Sequence, residues 1–281
     1  MKFHGKGLLS RVSRVAAAVR AAQLHTEVDE NRRIAMLSTS GDTVGQFWTA
    51  IPNSRRDLFE NLWFRTSLRQ RLRLSMTSSG LLCQLRKAER GDELCVQELT
   101  DLHVYCCQAG TARFRPHRSV IISLADTLWS LGAYVDIERY CAELLRHMAD
   151  GVSKEAWLDV CAQFPGQDQL WRLDVTIRSS WAEYGRTSVK PGLAAASGVS
   201  TKMARYGDSV KAISMELLGR IAKESIETIW QLASQARDRS GASLSPGMNY
   251  RKLRLALERS ILSSTAERLI CALGREAAPY R

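Results

Sequence analysis

The clearest pattern of apolar and polar residues lies near the middle of the chain, between Gln169 and Ile177. Apolar and polar positions alternate there, and a period of two places successive side chains on opposite faces of an extended backbone. One face carries Trp171, Leu173, Val175 and Ile177, and the other carries Arg172, Asp174 and Thr176. A Pro-Gly pair at 165–166 marks a turn just before this stretch. The pattern therefore predicts a half-buried strand over 171–177.

Upstream of this strand, apolar residues recur every three or four positions, which is the spacing that places them on one face of a helix. Helices are predicted over 58–74, 81–85, 94–106, 120–132, 136–145 and 153–158. Residues 36–54 are rich in Ser, Thr, Gly and Asn. They are expected to form a linker before a folded body that begins near Asp57.

Downstream, a second strand is predicted over 209–213, and Ser214 is a favoured residue type for the N-cap of a following helix. That helix would carry an apolar stripe of Leu217, Leu218, Ile221, Ile226, Ile229 and Leu232. A loop is expected around 240–247, because Ser, Gly and Pro cluster there. A last helix is predicted from the spacing of Leu253, Leu257, Ile261, Leu269 and Leu273.

The run Trp171-Arg172-Leu173-Asp174-Val175 resembles the opening strand of the COMM domain, the C-terminal module of the COMMD family. In that family a helical N-terminal domain leads into a tryptophan-led strand, two more strands and one long closing helix. The resemblance implies an α+β fold with a helical domain at 55–165 and a COMM-like domain at 166–235, made of a three-stranded sheet and one long helix. Residues 1–54 would be a basic arm and linker, and 236–281 a helical extension. The middle strand would fall within 188–203.

The same resemblance implies a non-enzymatic scaffold protein that hetero-oligomerises through its COMM-like domain. Its partners would be other COMM-domain proteins and coiled-coil adaptor subunits, as in the Commander complex of endosomal cargo recycling, and it would be cytoplasmic and endosome-associated. The residues expected at the interface are Trp171, Leu173, Val175, Ile177, Leu217, Leu218, Ile221 and Ile229.

The charge distribution supports an alternative function. The net charge is +11 in 281 residues, and the chain carries five basic residues before its first acidic one, Glu27. Residues 8–20 contain Arg and Ser but no acid, as mitochondrial presequences do. Two further basic clusters are Arg65, Arg69, Arg71 and Arg73 near Trp63 and Phe64, and Arg251, Lys252, Arg254 and Arg259. The alternative is a basic mitochondrial protein that binds RNA or a ribonucleoprotein, although the first cluster would point in several directions on a helix.

Metal and catalytic motifs add little to either function. The seven cysteines, at 83, 95, 106, 107, 141, 161 and 271, are expected to be reduced. His103 and Cys106 lie one helical turn apart, and Cys83, Cys95 and His117 are near in sequence, but these residues do not form the two tight pairs typical of zinc sites. We therefore expect helix-packing cysteines, with no metal and no cofactor. The absence of a G-x-S-x-G motif and of a P-loop predicts no enzyme, and no apolar run approaches the ~20 residues that span a bilayer.

Overall fold

The computed structural model describes residues 15, 19, 23, 29–39, 44–49, 61–71, 74, 80–85, 93–107, 109, 114–147, 153–181, 191–236 and 245–274. Its helices are α1 (Glu30–Ser38), α2 (Gln46–Thr49), α3 (Asn61–Arg71), α4 (Asp101–Cys106), α5 (Arg115–Ser130), α6 (Leu193–Tyr206), α7 (Lys223–Gln235) and α8 (Pro246–Ala272). Its strands are β1 (Tyr134–Tyr140), β2 (Arg146–His147), β3 (Ser153–Lys154), β4 (Trp157–Gln163), β5 (Leu170–Arg178) and β6 (Lys211–Glu216). The predicted α+β class is confirmed. The predicted presequence lies outside the described residues, apart from Val15 and Val19.

The main sheet has four strands in the order β1-β4-β5-β6, rather than the three predicted. β4 is antiparallel to both β1 and β5, and β6 is parallel to β5. In this register Leu173 of β5 lies opposite Val160 of β4, and Val175 lies opposite Ile213 of β6. The strand predicted over 171–177 is confirmed, and β6 overlaps the strand predicted over 209–213. The sheet joins residues on both sides of the predicted boundary at 165, and the domain division itself stays a prediction.

The helices predicted over 136–145 and 153–158 are wrong. Most of the first segment lies in β1 and a short 3-10 turn, and the second runs through β3 into β4. In β4 the side chains of Leu158, Val160 and Ala162 are fully buried against the rest of the fold. Short apolar runs fit a helix or a buried strand equally well by periodicity, and the β-branched and aromatic residues of β1 favour the strand.

The middle strand expected within 188–203 is also wrong, because Leu193–Tyr206 forms the helix α6. Parallel strands cannot be joined by a tight turn, so the connection from β5 to β6 needs a crossover element, and α6 supplies it. Small residues let this helix approach the sheet closely. Ala194 and Ala195 are fully buried, and Gly198 faces Ser214 of β6 and Thr176 of β5.

Ser214 was predicted to cap a helix, but it is a buried residue of β6. Its hydroxyl donates to the Ala195 carbonyl at 2.6 Å, and its N–H donates to Ser225 Oγ at 2.9 Å. α7 begins nine residues later, at Lys223. Leu217, Leu218 and Ile221 therefore lie in the turn between β6 and α7 rather than on a helix.

The folded body begins before Asp57, since part of the predicted linker forms α1 and α2. Ile34 and Ala35 of α1 are buried. At the end of this helix, the Ser38 hydroxyl donates to the buried carboxylate of Glu216, which also accepts from Ser180 Oγ at 2.9 Å. Such contacts satisfy a carboxylate that would be costly to bury alone.

The long C-terminal helix α8 confirms the last predicted helix. It packs on α5, α7 and α3 and is buried on almost its whole circumference. Leu253, Leu257 and Ile261 join the main hydrophobic cluster, which draws residues from Ala35 to Leu262. Among the helices that the structure describes, none is long and apolar enough to cross a membrane.

Candidate metal centre

The residues predicted at an interface lie mostly inside the core of the chain itself. Seven of them are at most 5% exposed, and Ile177 is partly buried against the same cluster. Trp171 also donates its indole N–H to Gln235 Oε1 at 2.7 Å. These side chains hold β5, β6 and α7 together within the chain, and their role in contacting a partner stays a prediction.

The two predicted basic clusters do not form continuous surfaces in the described part of the chain. Arg65 and Arg69 are exposed on α3, whereas Arg71 is half-buried with its guanidinium 5.7 Å from the ring centre of Trp48. Arg254 is buried and pairs with Glu258 at 2.9 Å. Arg73 lies outside the described residues.

Residues 81–85 and 93–99 are extended rather than helical, which corrects the helices predicted over 81–85 and over the first part of 94–106. Cys83 N–H donates to the Gln97 carbonyl at 2.8 Å, and Cys95 N–H donates to the Leu85 carbonyl at 2.8 Å. An isolated antiparallel bridge also joins Leu82 to Glu98. Two arms of chain therefore run side by side, with Cys83 on one and Cys95 on the other.

A short helix, α4, follows these arms directly. Its N-cap is Thr100, whose hydroxyl accepts a hydrogen bond from the His103 N–H at 3.0 Å. At the other end, the Cys107 N–H donates to the His103 carbonyl at 2.7 Å. Residues four apart face the same side of a helix, so His103 and Cys107 both point toward the two arms.

The side chains of Cys83, Cys95, His103 and Cys107 meet in one cluster. Their ligand atoms all lie within 4.8 Å of one another. Cys95 Sγ is 3.5 Å from His103 Nε2 and 3.7 Å from Cys107 Sγ. A tetrahedral zinc ion with bonds of about 2.3 Å to sulfur and about 2.1 Å to nitrogen separates its ligand atoms by roughly 3.5–3.8 Å. The two separations from Cys95 Sγ match that geometry, and the other ligand atoms lie within 4.8 Å of one another.

The electrostatics of the cluster also suit a cation. The hydrogen bond from the Cys83 thiol, helped by the Ala109 N–H at 3.4 Å, lowers the pKa of Cys107 to about 5 despite its burial. The same hydrogen bond and burial raise the pKa of Cys83 above its ordinary value. This lowering of the pKa favours the thiolate form of Cys107, which is the form that binds metals. A metal ion would take the place of the proton that Cys83 shares with Cys107.

The surroundings of the cluster are apolar and tightly connected to α8. The apolar residues packed around the ligands are Leu85, Leu99, Val104, Leu269 and Ala272. Gln84 N–H donates to the Ala272 carbonyl at 2.9 Å, and Arg268 donates to the Cys107 carbonyl. The cluster therefore lies against the C-terminal end of α8.

The sequence does not predict this cluster, although three of its four members, Cys83, Cys95 and His103, are candidate ligands there. Helical spacing pairs His103 with Cys106, but Cys106 Sγ lies near Ser179 Oγ at 3.7 Å, outside the cluster. The adjacent Cys107 contributes its thiol to the cluster instead. The signal that could have found it is the H-x3-C spacing at 103–107, which resembles the helical ligand pair of zinc fingers and follows two earlier cysteines.

His117 belongs to a different polar cluster, between α5 and the sheet. Its Nε2 lies 3.2 Å from Asp159 Oδ2 and 3.1 Å from the Val175 carbonyl oxygen. Burial alone would lower the pKa of His117, but the hydrogen bond and charge of Asp159 outweigh it and raise the pKa above its ordinary value. Nearby, burial and Asp159 raise the pKa of Asp174 to about 6, against the opposing charge of Lys202, which is 2.8 Å away.

A scan against protein-family models found no match, and a search of curated proteins found none either. The comparisons therefore assign no family. The resemblance to the COMM domain stays a prediction that depends on the run from Trp171 to Val175.

Proposed function

We propose that this protein is a non-enzymatic interaction scaffold that holds a structural Zn²⁺ ion with Cys83, Cys95, His103 and Cys107. The observation that carries the zinc proposal is the convergence of one imidazole nitrogen and three sulfur atoms within 4.8 Å. Three thiolates and one imidazole form a ligand set that is common in structural zinc sites. No separate cofactor is needed for this role.

The centre is structural rather than catalytic because its ligands are all supplied by the protein. A catalytic zinc ion keeps one position open for water or substrate, whereas four protein ligands close a tetrahedral site. Cys83 and Cys107 are buried, and apolar side chains surround them. Zinc would fix the arms at 81–85 and 93–99, together with α4, against α8.

The scaffold role is proposed on a separate basis. β5 begins with the tryptophan-led run, and β6 and α7 follow it in the order expected of a COMM-like module. α6 takes the place of the middle strand. We retain COMM-domain proteins and coiled-coil adaptor subunits as the proposed partners. Because the apolar residues of β5 are buried within the chain, contacts with these partners would be made by other side chains, which are exposed on the protein surface.

The metal content of the full chain tests the zinc proposal. The protein would be expressed with zinc in the medium, purified without chelators, and analysed by native mass spectrometry and elemental analysis. We expect one zinc per chain in the wild type and little zinc in Cys95→Ser and Cys107→Ser.

Cys106→Ser is the matched control, because Cys106 neighbours Cys107 in sequence but lies outside the cluster. It should keep its zinc. A wild-type chain that carries no zinc, or a loss of zinc in Cys106→Ser but not in Cys107→Ser, would contradict the proposed centre.

Sedimentation of the full chain, alone and after co-expression with a COMM-domain protein, tests the scaffold role. We expect a mixed complex that survives moderate salt, because burial of apolar surface is not screened by ions. RNA that co-purifies and is released as salt rises, with no complex formed, would favour the alternative of a nucleic-acid-binding protein.

A further inference from the structure

α8 places a buried positive charge next to the candidate metal centre. Arg268 is 4% exposed, and its guanidinium donates to the carbonyl of Cys107, the last of the four ligands. Within the described part of the chain, no carboxylate pairs with Arg268. The neighbouring Glu267 pairs with Arg115 instead.

The same helix shows how a buried arginine is otherwise accommodated. Arg254, which is also 4% exposed, forms an ion pair with Glu258 at 2.9 Å. A buried guanidinium without an anionic partner is costly, because its charge is removed from water without compensation. The missing carboxylate at Arg268 therefore indicates that another anion lies nearby.

The candidate metal centre supplies such an anion. A Zn²⁺ ion bound to three thiolates and one neutral imidazole carries a net charge of −1. The thiols of Cys107, Cys106 and Cys83 favour the charged form of Arg268, and two of these three, Cys107 and Cys83, are candidate ligands. The loaded centre and the guanidinium would together be neutral.

We propose that Arg268 is a positioning residue of the zinc centre, balancing its net negative charge and fixing Cys107 through the hydrogen bond to its carbonyl. This inference rests on the proposed zinc function. It implies that zinc affinity depends on a residue of α8, 161 positions along the chain from Cys107. Zinc binding and the docking of α4 on α8 are then coupled.

Two substitutions separate the charge of Arg268 from its hydrogen bond. Arg268→Gln keeps an N–H donor but removes the charge, and Arg268→Lys keeps the charge. The zinc affinity of each full-length variant would be measured by competition with a chromophoric chelator. Loss of outer-shell partners typically lowers metal affinity about 10- to 100-fold. We expect a loss of at least about tenfold in Arg268→Gln and near wild-type affinity in Arg268→Lys.

Lys252→Gln is the control, because Lys252 is an exposed cation near the other end of α8. Its zinc affinity should equal that of the wild type. If the wild type binds zinc and Arg268→Gln binds it equally well, the inference about Arg268 is wrong while the proposed zinc function stands. If the wild type binds no zinc, the proposed function itself fails.

Equal losses of affinity in Arg268→Gln and Arg268→Lys would also overturn the inference, since the charge would then not be the cause. Circular dichroism would show whether each variant folds. If Arg268→Gln does not fold, the zinc affinity of Arg268→Lys still tests the inference. A zinc affinity of Arg268→Lys within a few-fold of the wild type supports charge balance, and a tenfold loss overturns it.

Discussion

Replacement of Gly198 by alanine should lower the free energy of unfolding, although alanine is the better helix former. Gly198 lies where α6 crosses the sheet. A Cβ atom at this position would lie 2.3 Å from Ser214 Oγ and 2.7 Å from Thr176 Cγ2. Both distances are far shorter than any van der Waals contact, so the side chains of Ser214 and Thr176, or the backbone of α6 or of the sheet, would have to shift.

The expected size of the effect follows from three contributions. Alanine in place of glycine favours a helix by about 1 kcal/mol. Overpacking a close contact costs about 1–3 kcal/mol. Moving Ser214 also weakens its buried hydrogen bond to the Ala195 carbonyl, at 2.6 Å, which adds about 1 kcal/mol. The net loss of stability is therefore about 2 kcal/mol.

Urea unfolding followed by circular dichroism would measure this loss. Gly247→Ala in the first turn of α8 is the matched control, because a Cβ there would meet only Ser245 Oγ, at 4.0 Å. We expect the control to be neutral or slightly stabilising. A Gly198→Ala variant as stable as the wild type would mean that α6 does not pack on β5 and β6 as closely as described.

Three further predictions follow from other contacts. Trp171→Ala should lower the free energy of unfolding by about 3–5 kcal/mol, because it empties a core position and removes the hydrogen bond to Gln235 Oε1; a change below about 1 kcal/mol in urea unfolding would place Trp171 outside the core. The raised pKa of His117 predicts that the stabilisation this residue contributes is fully present below its unfolded pKa of about 6.5. That contribution is lost as the pH rises through the pKa of His117 in the folded protein. Thermal unfolding of His117→Asn should lack that pH dependence, and an identical profile would exclude the contact with Asp159. Zinc added to metal-free protein at about 1,000 times its dissociation constant should raise stability by about 4 kcal/mol, and an unchanged unfolding midpoint would argue against a zinc site in the folded state.

Elements with a long, regular pattern could be predicted from the sequence. β5 was predictable because its alternation continues over most of its nine residues, and α8 because its apolar spacing continues through several turns. β4 was missed because short apolar runs do not distinguish strand from helix. α6 was assigned as a strand on the expectation of the resemblance, although its alanines favour a helix.

The candidate metal centre was harder to predict because its ligands come from three separate pieces of structure. Cys83 and Cys95 face each other only because residues 81–85 and 93–99 run side by side, joined by the bridge between Leu82 and Glu98. Such a bridge has no periodic signature. The choice of Cys107 over Cys106 depends on which side of α4 faces the arms, and this follows from tertiary packing rather than from spacing alone.

The position of α8 in the chain affects the order in which the protein can fold during synthesis. This buried helix follows every other described element, so α5 and the sheet leave the ribosome before the helix that covers them. At about 5–20 residues per second, the apolar surface of α5 stays uncovered for several seconds, and chaperones can bind it in that interval. The four candidate ligands emerge earlier, before α5. On the proposed zinc function, a nascent chain would bind zinc before Arg268 is present, and the charge balance by Arg268 and the docking on α8 would follow only when the end of α8 appears.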